Sequence, residues 1–547
     1  MKSNRFYKKP AVKPKTSPST SIFTLTDQYK ETVRSSSYLG KRGYTIPKTS
    51  LSKEDDELLR KELFVKPEVF GPNFGAAAGE QAFPVFRESP NKLYIPRFYG
   101  ISRYGLPDKS EIQEGDDIEV SFPRELRDYQ EEIIAVYMNH VKRPICNGST
   151  QHGGGGILEV FCGAGKTVCG IKIISLIKKK TLILVHKEFL MNQWIERINE
   201  FLPGATVGKI QAQVIDIKDK DIVIGMIQTL YDKEFPAGTF DSFGLTIIDE
   251  VHRIGSEQFS KTLFKTVTPY MLGISATVDR KDKLTKILYM YIGEKIYSKK
   301  REEEAPVCVR AIEYKTNNTE FNESDVDFRG NPKYSSMIVK LCEYGPRSDF
   351  IVRVIKDLID EEPEKQMMIL CHNRSLLTYL FEAINYRKIA TVGFYVGGMK
   401  QSNLQETETK SIVLATYAMA AEALDIKTLS TLVMVTPKTD ITQSVGRILR
   451  VKHEKPIIVD IVDTHDMFQK QWVQRRRFYK KANYCIRQID SIQYINMSID
   501  WDTDKTWKRV FEPKGQGTKE ENEEEDEELT NKPIIGKCLI NINFDED

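Results

Sequence analysis

Short unbroken apolar runs, separated by stretches of helical spacing, recur along this chain. The first set falls at 157–161, 181–185, 221–225, 245–248 and 271–274. These runs are rich in Ile, Val and Leu and do not alternate with polar residues. Each therefore reads as a strand buried on both faces. The segment 168–178 and the stretch through Trp194 and Ile198 carry helical periodicity between them. Strands alternating with helices predict a parallel sheet covered on both sides. The pattern lapses over 301–345, where mixed charge, Asn, Pro and Gly predict a linker or small insertion. It resumes at 367–370, 391–396, 411–414, 431–435 and 457–459. The expectation is an α/β protein with two tandem parallel-sheet domains, 121–300 and 346–485. A flexible basic arm is expected at 1–50. An accessory region at 51–120 has a helix over 55–63 but no legible fold, and a C-terminal extension occupies 486–547. The length of 547 residues agrees with more than one core.

Three short stretches carry the chemistry. In Cys162-Gly163-Ala164-Gly165-Lys166-Thr167, the glycines permit a tight path that aims backbone N–H groups at one point before a helix. Lys166 adds a charge suited to the β- and γ-phosphates, and Thr167 offers a hydroxyl to Mg²⁺. The strict phosphate-loop pattern asks for Gly at 160, where this chain has Val160. Asp249 and Glu250 follow the run 245–248, at the carboxyl end of a strand. Asp249 is placed to hold Mg²⁺, and Glu250 to orient and deprotonate a water. Gln443-Ser444-Val445-Gly446-Arg447-Ile448-Leu449-Arg450 supplies two arginines about 280 residues beyond Lys166. They reach a γ-phosphate only if two domains close on it, and the guanidinium fork matches phosphate oxygens.

Order and spacing of these motifs resemble superfamily 2 helicases and translocases over about 120–485. The resemblance is strongest to the branch holding XPB-type helicases, the phage UvsW helicase and poxvirus transcript-release helicases. It implies two RecA-like domains that hydrolyse ATP with Mg²⁺ and step along nucleic acid. Leu126-Arg127-Asp128-Tyr129-Gln130 is similar to the element that reads adenine, which assigns Gln130 to the base and Arg127 to the ATP site. Ser275-Ala276-Thr277 resembles the motif coupling ATP to strand movement, and His252 would link the Mg²⁺ site to Gln443. Ala415-Thr416 with Glu422-Ala423-Leu424-Asp425 resembles motif V, placing Asp425 at ATP and Thr416 at nucleic acid. Gln443, Arg447 and Arg450 resemble motif VI. Gln228, Thr229, Arg280, Gly397 and Gly398 stand where the superfamily meets the phosphate backbone. XPB-type enzymes carry Arg-Glu-Asp where this chain reads Arg280-Lys281-Asp282. The Asp-Glu-Val-His and Gln-Ser-Val-Gly-Arg spellings differ from those of DEAD-box RNA helicases and tilt the track toward DNA. An RNA track and a nucleic-acid-binding scaffold without hydrolysis remain the alternatives. Likeness to poxvirus and phage enzymes implies a large DNA virus and work in viral transcription, repair or recombination.

Charge changes this picture at the ends. Residues 1–48 hold eleven Lys or Arg against two acids, and 519–528 hold eight acids against one Lys. Basic and acidic tails suit nucleic acid and transcription or repair proteins as partners. The segment 470–481 holds six bases and interleaved aromatics. Packing is the leading role for Trp472, Arg476 and Tyr479 at helical spacing, compatible with phosphate contact. Eight cysteines show no paired ligand spacing, which predicts a reducing compartment and no structural zinc. No apolar run reaches about 18 residues, so no membrane span is expected. The expected location is intracellular: host cytoplasm, viral factory or virion for a viral protein, nucleus for a cellular one. Oligomeric state is not predicted.

Overall fold

The computed structural model describes residues 24–66, 82–161, 163–253, 257–278, 284–299, 307–422, 426, 428–448, 453, 455–497, 499–501 and 506–513. Near the N-terminus, Tyr38–Gly40 (β1) and Gly43–Pro47 (β2) begin a sheet. Phe64–Val65 (β3) and Phe83–Pro84 (β4) pair separately. Arg87–Glu88 (β5) and Lys92–Ile95 (β6) complete the first sheet in the antiparallel order β1-β2-β6-β5. The helix Lys53–Glu62 lies where apolar spacing predicts one. Its cap is Ser52, whose hydroxyl accepts from Asp55 N.

The first large sheet comprises Gly154–Val160 (β7), Thr181–Val185 (β8), Val207–Gln211 (β9), Val214–Ile215 (β10), Ile222–Met226 (β11), Leu245–Asp249 (β12), Tyr270–Ser275 (β13) and Lys295–Lys299 (β14). Its order is β10-β9-β11-β8-β12-β13-β7-β14. Every pairing is parallel except that of β10 with β9. The second comprises Cys308–Tyr314 (β15), Gln366–Cys371 (β16), Val392–Tyr395 (β17), Ile412–Thr416 (β18), Leu429–Met434 (β19), Ile457–Asp463 (β20), Cys485–Asp490 (β21) and Lys508–Phe511 (β22). Its order is β17-β18-β16-β19-β20-β15-β21-β22, with only β22 antiparallel to its neighbour. Central strands such as β8, β16 and β20 are buried at every position. Helices cover both faces, the reason their sequences read as unbroken apolar runs. This is the expected pair of parallel-dominated α/β sheets.

Three expectations give way to the structure. The basic arm expected over 1–50 gives way to a helix that begins at Asp27, with β1 and β2 after it. Val33, Leu39, Tyr44 and Ile46 are fully buried in a core shared with the first large sheet. The segment 301–345, expected as a linker, contains β15, an interior strand of the second sheet, and the helix Tyr334–Glu343. Charges hid that strand, because Arg310 sits inside it. Arg310 is buried and paired with Glu361 at 2.6 Å, so burial is tolerable only through a partner 51 residues away. The extension beyond 485 supplies most of β21 and all of β22 to the same sheet. Residues 1–23 and the acidic run 519–528 lie outside the described residues.

Candidate nucleotide site

Strand order decides what meets at the carboxyl edge of the first sheet. β12, β13 and β7 are consecutive neighbours running the same way. Asp249 ends β12 and Ser275 ends β13. β7 passes at Val160 into the loop that precedes the helix Lys166–Ile177. All three ends open on the side where parallel α/β sheets take their ligands.

The loop turns as its glycines require. Gly163 and Gly165 have φ of 91° and 80°, a region in which an L side chain is strained. A Cβ at Gly165 would also stand 2.4 Å from Gln130 Nε2. Gln130 is buried and braces the loop. Its Nε2 donates to Ala164 O at 2.9 Å, and its Oε1 accepts from Arg127 N at 3.1 Å. The Arg127 guanidinium donates to Tyr129 Oη at 2.9 Å. Thr167 follows Lys166 in the first turn of the helix, where backbone N–H groups face the loop. Cys162 lies outside the described residues.

The carboxylates form one connected network with the lysine. Lys166 Nζ donates to Glu250 Oε1 at 2.7 Å. Asp249 Oδ1 accepts from Glu250 N at 2.9 Å, and its Oδ2 accepts from Trp194 Nε1 at 2.9 Å. Burial first, and the Glu250 charge second, push the Asp249 carboxyl up from 3.8 to about 6, against the pull of Lys166 and the indole. Glu250 has φ of 51°, uncommon for a residue with a Cβ. His252 Nδ1 lies 2.7 Å from Ser275 Oγ and 3.2 Å from Glu250 Oε2. Ser275 Oγ donates to Thr277 O at 2.5 Å, so the hydroxyl receives its hydrogen bond from the imidazole. His252, Ser275 and Thr277, singled out separately in the sequence, thus stand in one chain beginning at Lys166. The expected link from His252 to Gln443 falls outside the described side chains.

Trp194 is the site residue that sequence reading missed as chemistry. Its apolar spacing marks only a core position on the helix Glu188–Phe201. The indole is 1% exposed and passes beside Gly170, where a Cβ would come within 2.9 Å of the ring. The missing side chain at 170 admits the ring that reaches Asp249. Nothing in the local sequence distinguishes this tryptophan from any other buried one.

On the second sheet, β17 and β18 are neighbours. Gly397 and Gly398 follow β17, and Thr416 closes β18, so the three meet at one edge. Gly398 has φ of 86°, and a Cβ there would touch nothing within 4 Å. The Arg374 guanidinium donates to Gly397 O. Gln228 Nε2 donates to His186 O at 3.0 Å. Thr229, expected at the backbone track, is turned inward; its hydroxyl accepts from Ala212 N at 3.0 Å. Gln443 and Arg447 lie on the helix Thr442–Ile448, with side chains outside the description, as are Arg280, Asp425 and Arg450 altogether. In the helix Asp466–Lys481, Trp472 and Tyr479 are buried as expected of packing residues. The buried base is Arg475 and not the expected Arg476, which is half-buried; Arg475 and Tyr479 both bond Asp460. Among the described residues, no group of three His, Cys, Asp or Glu could hold a metal by itself. Mg²⁺ of the nucleotide-borne kind takes one or two protein ligands and completes its shell with phosphates and water, so the Thr167–Asp249 pair fits it.

The chain is similar in sequence to known proteins along most of its length. The family profile of the type III restriction enzyme res subunit (ResIII) matches residues 124–280. L396 of Acanthamoeba polyphaga mimivirus, named as an ATP-dependent RNA helicase, is 34% identical over 84% of this chain and 87% of its own. QP509L of African swine fever virus, named in the same way, is 28% identical over 68% of this chain and 74% of its own. The DNA 3'-5' translocase XPB2 of Sulfurisphaera tokodaii is 31% identical over 38% of this chain and 44% of its own. The chain belongs to the superfamily 2 helicases, in the group found in large DNA viruses. It is an ATP-dependent, ATP-hydrolysing helicase that binds nucleic acid. No helix among the described residues is long and apolar enough to cross a membrane.

Proposed function

We propose that this chain is a DNA helicase or translocase whose hydrolytic centre is built on Lys166, Asp249 and Glu250. The network Lys166–Glu250–His252–Ser275 carries the reading, because it ties the phosphate-binding lysine to the motif that would report on nucleic acid. Mg²⁺ held with the nucleotide by Thr167 and Asp249 would offset phosphate charge. When a triphosphate arrives, its oxygens compete with Glu250 for Lys166. Glu250 then loses its ammonium partner and turns to a water, whose proton it accepts. His252 follows Glu250, and through Ser275 the change reaches Thr277. Arg447 and Arg450 from the second domain would stabilise the charge on the departing phosphate, an effect of roughly 10³–10⁵ in rate for such arginines. Gln228, Gly397, Gly398, Thr416 and Arg280 would hold the track through its phosphates, Gln130 would meet the adenine, and Arg127 would stand at the ATP site. Asp425 and Gln443 would complete the nucleotide's second-domain contacts.

DNA is the preferred track because the Asp-Glu-Val-His and Gln-Ser-Val-Gly-Arg spellings depart from the DEAD-box pattern. RNA is the second reading, favoured by the names of the mimivirus and African swine fever virus relatives. The test is steady-state ATPase with single-stranded DNA, duplex DNA and RNA in parallel, with Glu250→Gln as control. Stimulation by DNA that vanishes in the control supports the first reading. Stimulation by RNA alone moves the protein to the second. Equal hydrolysis with and without any nucleic acid refutes both.

A further inference from the structure

We propose that the outer face of the N-terminal sheet is a second binding surface, a platform for single-stranded nucleic acid separate from the track between the large sheets. The proposal rests on the helicase reading and adds where a strand lands outside the motor. Register sorts the residues of this sheet into two faces. Tyr38, Thr45, Tyr94 and Arg87 stand opposite one another across the four strands and so share a face. The residues between them, Leu39, Ile46, Leu93 and Ile95, are at most 1% exposed and point into the core shared with the first large sheet. On the other face Thr45 is buried, but Tyr38, Tyr94 and Arg87 around it stay partly exposed, so this is the face nearer solvent.

That face pairs aromatics with cations. Lys92 Nζ donates to Tyr38 Oη at 2.9 Å and stands 5.1 Å from its ring centre. The guanidinium of Arg42, an exposed residue of the β1–β2 turn, lies 5.4 Å over the Tyr94 ring. Arg87 closes the row at the other edge, over Phe264 at 5.9 Å. Glu111, on a neighbouring loop, sends a carboxylate field to Lys92, and nearby Lys41 and Lys48 pair with Asp241 and Glu88, which leaves Arg42 and Lys92 as the cations seated on the rings. The stretch 38–53 holds four Lys or Arg and no acid, and residues 1–23, which lead into this unit, hold six and no acid. A row of rings between cations is poorly matched to a protein partner's acidic side chains alone, since the rings would go unused. It matches a single strand, whose bases stack on rings and guanidinium planes while the cations take phosphates.

The test uses the full chain carrying Arg42→Gln and Lys92→Gln together, both outside the ATP machinery. Binding of labelled oligothymidylate and oligouridylate is followed by anisotropy across a salt series. The expected result is about tenfold weaker binding and a log–log salt slope lower by about 1.4, from two lost single-strand phosphate contacts. Basal ATPase, and the rate at saturating oligonucleotide, should match the parent. Bromouracil-substituted strands should cross-link to Tyr38 or Tyr94 in the parent, and less in the variant. A variant that binds as the parent does with an unchanged slope, and cross-links confined to the large sheets, would overturn the platform. So would a variant whose rate falls at saturating oligonucleotide, since that places the defect in the motor. A parent whose ATPase ignores nucleic acid but whose binding still depends on Arg42 and Lys92 would spare the platform and refute the motor reading.

Discussion

Replacing Trp194 by Phe keeps a ring beside Gly170 but removes the N–H that, among the described residues, reaches Asp249 Oδ2. That hydrogen bond joins a neutral donor to a carboxylate at 2.9 Å, both nearly fully buried. Hydrogen bonds to charged groups contribute about 1.5–3 kcal/mol, and a buried acceptor left short of its donor loses the larger share. Burial already holds the Asp249 carboxyl at about 6 instead of the ordinary 3.8, a gap worth roughly 3 kcal/mol. The sign follows from the direction. A carboxyl raised in the folded state favours folding most below pH 3.8, and that contribution is lost as pH rises through about 6. Without the indole the carboxyl rises further, so less of it is ionised and oriented for Mg²⁺ at neutral pH. Losing such an outer-shell partner typically costs 10–100-fold in metal affinity. Trp194→Phe should therefore need about tenfold more Mg²⁺ for half-maximal ATPase, and the acid limb of its pH profile should move toward alkaline pH. ATPase is titrated with Mg²⁺ at fixed ATP, alongside Mg²⁺-dependent binding of a non-hydrolysable ATP analogue. Ile198→Val on the same helix, a comparable core trim, serves as the packing control. If Trp194→Phe loses thermal stability but keeps the parental Mg²⁺ curve and pH profile, the indole is only core.

Gly170→Ala puts a Cβ 2.9 Å from the Trp194 ring, so it should cost about 1–3 kcal/mol in urea unfolding and raise the Mg²⁺ requirement in the direction of Trp194→Phe. Arg347 and Asp463 form a fully buried pair at 2.7 and 2.8 Å, with Val435 O as a further acceptor. Arg347→Met should destabilise the second domain by about 3–5 kcal/mol, and Arg347→Met with Asp463→Leu should recover most of it, both read from denaturant midpoints. Burial and the Lys438 charge hold His372 down at about 4, below its ordinary 6.5. Its share of stability, roughly 2 kcal/mol after allowance for partial exposure, is present above 6.5 and lost as pH falls toward 4. His372→Gln should flatten that part of the stability profile, and an unchanged profile would refute the assignment.

The sequence by itself was enough for the alternation of helices with strands buried on both faces, and therefore for two parallel sheets. A continuous run such as 181–185 has no polar side to place in water, and a period of two or 3.6 residues is a local property. The glycine turn at 163–165 and the strand-end Asp249–Glu250 pair were legible for the same reason, because glycine freedom and strand-end carboxylates are encoded within a few residues. Tertiary structure alone decided the rest. β15 was obscured because Arg310 is acceptable in a strand only once Glu361 has been brought to it. The N-terminal sheet was obscured because its strands are short and its buried face is completed by residues of another sheet. The indole of Trp194 meets Asp249 across 55 residues only because β8 and β12 are neighbours and Gly170, in the helix Lys166–Ile177, leaves room for the ring. Periodicity places a side chain on a face, but the partner it finds there depends on strand order, and strand order is settled by the packing of the whole chain.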